Sequence, residues 1–143
     1  MCGIVGHIGN NNSSKNALEG LRLLEYRGYD SAGIAFINKN KLSVIKKEGR
    51  VNTLIDAVQE LDISGTVAIS HTRWATHGRP SDINAHPHVV GDIAVVHNGI
   101  IENFAELKEY VKQLGATIVS ETDTEIIAHL INMETGSLFY AFF

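Results

Sequence analysis

The chain is poor in the features that mark most partners and compartments. One cysteine, Cys2, among 143 residues excludes an internal disulfide. In a reducing compartment it stays a thiol, so any role it has is chemical. No apolar run approaches the roughly 20 residues that cross a bilayer, and Met1-Cys2-Gly3-Ile4-Val5 lacks the charged start of a secretory signal. These absences predict a soluble, cytoplasmic protein with no membrane partner. There are 12 basic against 16 acidic residues, a net charge of -4, and no Lys or Arg cluster beside interleaved aromatics, which argues against nucleic acid. Internal repeats and low-complexity segments are also missing.

What is present suffices for one compact core: 143 residues, 44% of them hydrophobic, read as a single domain or part of one. Gly3 to Ile8 predicts a strand that holds the N-terminus in a sheet. Ser13 or Ser14 can cap a helix with Ala17, Leu21 and Leu24 on one face. Ala32–Ile37 and Leu42–Ile45 read as a hairpin, and Val51, Leu54, Ile55 and Val58 line a second helix. Short strands are expected at Thr66–Ser70, Ile93–His97 and Thr117–Ser120. The first two run into polar segments, His71 to Gly78 and Asn98-Gly99, where loops carry function. Phe104, Leu107, Val111 and Leu114 define a helix stopped by Gly115. Thr122 and Glu125 have capping-box spacing before a helix with Ile126, Ile127, Leu130 and Ile131 inward. The pattern predicts layered α and β structure with largely antiparallel sheets. The apolar end from Ser137 to Phe143, after Gly136 interrupts a helix, reads as cut short.

Cys2 becomes terminal if Met1 is removed, and a free amine then lies beside the sulfur. An α-amine titrates near pH 8 and a thiol near 8.5, so close to neutrality the amine can take the thiol proton without a separate histidine base. Cys2 also reads simply as a small residue at a strand edge. Asn98 and the Gly99 N–H can supply two donors to an oxyanion, or form a hairpin turn, although Ile100 and Ile101 do not resume an alternating strand. Arg73 can bind a carboxylate through its planar fork, and Asp123, in a first helical turn, an ammonium. The pair reads equally as an Arg stacked on Trp74 and a helix-start Asp. His71, His77, His86, His88 and His97 raise a metal reading, but with no second cysteine and no HExxH spacing the ligand set stays undefined, and they can instead orient loops.

Cys2-Gly3-Ile4-Val5-Gly6, the run from Leu24 to Gly33, and His71-Thr72-Arg73-Trp74-Ala75-Thr76-His77-Gly78 together resemble the N-terminal nucleophile (Ntn) glutamine amidotransferases. Asn84 to His88, His97 to Asn103 and Ser120 to Glu125 extend the match in order over nearly the whole chain. The first forms are similar to the amino-sugar-forming branch rather than to amidophosphoribosyltransferase or asparagine synthetase. The resemblance implies an α+β fold, a four-layer αββα sandwich of mostly antiparallel sheets. It implies that residues 1–143 are the N-terminal part of a glutaminase domain whose Cys2 attacks the amide of L-glutamine. It also implies that Asn98 and Gly99 hold the oxyanion, Arg73 the carboxylate and Asp123 the ammonium. Trp74, Thr76 and His77 would shape the pocket, with Arg27 steadying the terminal segment and no cofactor or metal. The implied partners are synthase domains that bind fructose 6-phosphate, absent from this chain, in a homo-oligomeric parent. A rival reading is a non-catalytic fragment that binds glutamine without hydrolysing it.

Overall fold

The computed structural model describes residues 1–10 and 12–135. The apolar end and the break at Gly136 therefore lie outside the described residues. The elements, in order, are β1 (Gly3–Ile8), α1 (Ser13–Leu23), a single 3-10 turn (Glu25–Arg27), β2 (Ser31–Asn38), β3 (Lys41–Glu48) and α2 (Val51–Val58). β4 (Val67–Arg73), β5 (His88–Val90), β6 (Ile93–Val95), α3 (Phe104–Gln113) and α4 (Thr124–Thr135) follow. A four-stranded sheet in the order β1-β4-β2-β3 faces a two-stranded sheet of β5 and β6, and every strand pair is antiparallel.

Strand alternation builds the layers. Ala32, Ile34, Phe36 and Ala68 point from the large sheet to Ala17, Leu18 and Leu21 of α1 and Val51, Leu54 and Val58 of α2. Their neighbours Ala35 and Ile69 point the other way, onto Ala94 and Val96 of the small sheet's side. Ile93 and Val95 then turn their opposite face to Ala128, Ile127 and Ile131 of α4. The result is helices, sheet, sheet, helices: the αββα sandwich that the resemblance implies.

Several local expectations give way to tertiary contacts. Ser13 and Ser14 are buried inside the first turn of α1, and neither caps it. The Ser13 hydroxyl instead lies 3.0 Å from both the Asn10 and Thr66 carbonyls, between which its one proton is shared. No strand forms at Thr117–Ser120; the Glu125 carboxylate accepts the N–H groups of Val119 and Ser120, so those groups need no sheet partner. The same carboxylate is thereby taken from the capping box, and Thr122 bonds His88 instead. β4 runs three residues further than expected, through His71, Thr72 and Arg73, because β2 and β1 flank it on both sides.

At Gly33, on the face of β2 turned to the small sheet, the backbone just before β5 comes close to the large sheet. A Cβ there would collide with the His86 carbonyl oxygen and lie 3.1 Å from that of Ile45. Gly33→Ala is expected to cost about 3 kcal/mol of stability, since two backbone oxygens cannot rotate away. Urea unfolding checks this, and an unchanged midpoint would show that the layers have room to part.

Candidate active site

Four chain segments meet at one end of the two sheets around a cavity of about 220 Å³. Cys2 comes from the start of β1, Arg73 from the end of β4, and Trp74, Thr76 and His77 from the loop after it. Asn98 and Gly99 follow β6, and Asp123 precedes α4. All eight of the cavity residues singled out from the sequence thus line the same space. Arg27 lies behind it and donates through Nε to the Cys2 carbonyl at 3.1 Å.

Cys2 Sγ is held against the Trp74 backbone: the Trp74 N–H donates to the sulfur at 3.4 Å, and the carbonyl of the same residue lies 3.9 Å away. The Arg73 guanidinium is almost wholly buried, with Asp30 at 4.0 Å. It donates to the carbonyls of His77, Gly78 (3.1 Å) and Arg79 (3.4 Å), so it organises the loop that forms the cavity wall. The stacked Arg–Trp alternative does not hold, because Trp74 meets Tyr29 edge-on at 5.6 Å. Asp123 stands just before the first turn of α4, not within it as expected, since the helix begins at Thr124. Its carboxylate accepts the Ile101 N–H at 2.8 Å, which ties the end of α4 to the segment carrying Asn98 and Gly99. Gly99 begins no return strand, so Asn98-Gly99 is not a hairpin turn. A Cβ on Gly99 would come within 2.5 Å of His97 Nε2, whose ring Thr124 holds through Nδ1 at 3.3 Å.

Apart from His77, sequence reasoning gave the histidines no individual place. His71 and His86 stack at 4.2 Å and His86 meets His88 edge-on at 4.7 Å, forming a buried column between the sheets. Among the described residues no group of His, Cys, Asp and Glu could hold a metal ion. Burial pushes His71 and His88 down to about 3, and His86 well below the ordinary imidazole value; neighbouring positive charge, Lys46 and Arg73 included, adds to the shift. These folded-state values lie below the 6.5 of an unfolded imidazole. The unfolded chain therefore binds the extra protons, and the column's contribution is complete above about pH 6.5 and lost as pH falls toward 3. Within that window each histidine is expected to remove up to about 1.4 kcal/mol per pH unit. Urea unfolding at pH 7.0, 6.0 and 5.5 checks this, and a flat profile would mean the column is already protonated or hydrated.

Residues 56–141 match the family described as a glutamine amidotransferase domain. The chain belongs to that family. Among glutamine amidotransferase relatives, it is 54% identical over 132 residues to glutamine–fructose-6-phosphate aminotransferase (isomerizing) of Acinetobacter baylyi. It is 55% identical over 135 residues to the protein of the same description from Escherichia coli K12. These alignments cover 92% and 94% of this chain but 22% of each relative, so the chain spans about a fifth of their length. The glutamine PRPP amidotransferase from B. subtilis, solved with ADP and GMP, superposes with a TM-score of 0.79 at 27% identity, over 97% of this chain and 30% of that one. A structure described as the allosteric regulatory enzyme of purine biosynthesis gives 0.80 at 28%, with the same coverage. The amidotransferase fold is thus the Ntn type. No helix among the described residues is long and apolar enough to cross a membrane.

Proposed function

We propose that this chain hydrolyses L-glutamine to glutamate and ammonia with Cys2 as the nucleophile. The observation that carries the reading is that a lone thiol, an amide-bearing side chain, a buried guanidinium and a carboxylate border one cavity of about 220 Å³. Those groups meet the separate demands of one substrate: attack, oxyanion, carboxylate and ammonium.

With Met1 removed, the Cys2 amine takes the thiol proton and Sγ attacks the side-chain carbonyl carbon of glutamine. Asn98 and the Gly99 N–H hold the oxyanion while the C–N bond breaks. The amine returns the proton to the departing nitrogen, which leaves as ammonia. Water, deprotonated by the same amine, then cleaves the thioester to free glutamate and the thiol. Arg73 and Asp123 fix the two ends of the amino acid, and Trp74, Thr76 and His77 wall the pocket. Met1 is 75% exposed, open to the processing this chemistry needs.

The relatives' description extends the reading. We read residues 1–143 as the N-terminal part of a glutaminase domain that, in a cytoplasmic, homo-oligomeric parent, delivers ammonia to fructose 6-phosphate on synthase domains outside this chain. Glutamate release from L-glutamine by chain shown by mass spectrometry to begin at Cys2 tests the core of it. No release from such chain overturns the reading in favour of a glutamine-binding fragment.

A further inference from the structure

Asp30 lies outside the cavity wall, yet it grips the backbone that touches the nucleophile. Its own N–H donates to the Arg73 carbonyl at 3.2 Å, and its carboxylate accepts the Ala75 N–H. These two contacts engage the peptide units on either side of the Trp74 Cα. In a trans peptide the N–H and C=O point in opposite directions. The partner groups of the same two units therefore turn away from Asp30, and both are found on Cys2 Sγ: the Trp74 N–H at 3.4 Å and the Trp74 carbonyl at 3.9 Å. Asp30 and the sulfur face each other across a single residue's backbone. Gly28 closes the remaining side, where a Cβ would stand 2.6 Å from the Arg73 carbonyl.

We propose that Asp30 is a positioning residue for Cys2: by fixing both peptide units of Trp74 it aims one N–H at the sulfur to meet the negative charge that develops there. The carboxylate is itself held, accepting the Ser31 hydroxyl at 2.8 Å, and its side chain is 19% exposed. Its essential atom is an acceptor for the Ala75 N–H. An asparagine can supply that acceptor and present its NH2 to Ser31; an alanine cannot.

This inference rests on Cys2 as the nucleophile, but its test does not require turnover. Cys2 is the sole cysteine, so iodoacetamide alkylation of the full, Met1-processed chain reads its thiolate directly. Asp30→Ala is expected to slow alkylation at pH 7 by about tenfold, the scale of one lost hydrogen bond to a charged group. Asp30→Asn is expected to stay within about twofold. Alkylation unchanged in Asp30→Ala overturns the proposal, as does an equal loss in both variants, which would assign the effect to charge. Should Asp30→Ala fail to fold, Asp30→Ser takes its place with the same two readings, and a tenfold loss in Asp30→Asn still refutes the acceptor role. Absence of glutamate release from the wild-type chain would instead refute the hydrolytic reading and leave the alkylation result standing.

Discussion

Cys2→Ala is expected to lower glutamate release by roughly 10⁴-fold or more while glutamine still binds within a few-fold of the wild-type affinity. The size follows from the role: removing a covalent nucleophile leaves only positioning and oxyanion donors, which cannot form the thioester. Retained binding follows from geometry, because Arg73 and Asp123 reach the cavity from β4 and the head of α4. Cys2→Ser should also be far slower, since a hydroxyl ionises much less readily beside the same amine. Glutamate assay and calorimetric titration on the processed chain separate the two quantities. Comparable turnover in Cys2→Ala would remove the thioester from the mechanism.

Asn98→Ala is expected to reduce kcat by about 10²- to 10³-fold with KM changed by no more than a few-fold, the loss typical of one oxyanion donor. Asn98 is exposed to the cavity, and in the proposed mechanism its NH2 gains its value as the carbonyl oxygen becomes an anion. Asn98→Asp should be worse still, because a carboxylate offers no donor and repels the developing charge. Steady-state kinetics with L-glutamine decides. A fall in kcat below about fivefold for the alanine variant would assign the oxyanion to other donors.

The sequence made the site more legible than the sheet ends around it. Cys2, Arg73, Asn98 and Asp123 stand in motifs whose residue types answer distinct chemical needs, and their convergence needed no knowledge of strand order. β1, the β2–β3 hairpin and α2 were also readable, because each is a short apolar or amphipathic run and the hairpin is broken by Asn38-Lys39-Asn40. Competition between neighbouring groups for hydrogen bonds was hidden. Spacing alone does not say that Glu125 will bond the amides five and six residues before it, yet that contact removes an expected strand and an expected capping box together. Burial was hidden because it is long-range: the column of His71, His86 and His88 spans two sheets whose pairing the motifs do not encode. Asp30 lies within the run from Leu24 to Gly33, but its task is visible only once Trp74 is placed between it and the sulfur.

The cavity straddles the seam between the two sheets, with Cys2 and Arg73 on one side and Asn98 and Gly99 on the other. Turnover in such a site acts as a gauge of interlayer spacing. Reacting atoms tolerate misplacement of only a fraction of an ångström before rates fall steeply. Changes to buried contacts such as Ile69 against Ala94 and Val96 are therefore expected to alter turnover as well as stability. Conservative repacking of that seam would dull the enzyme long before it loosened the fold.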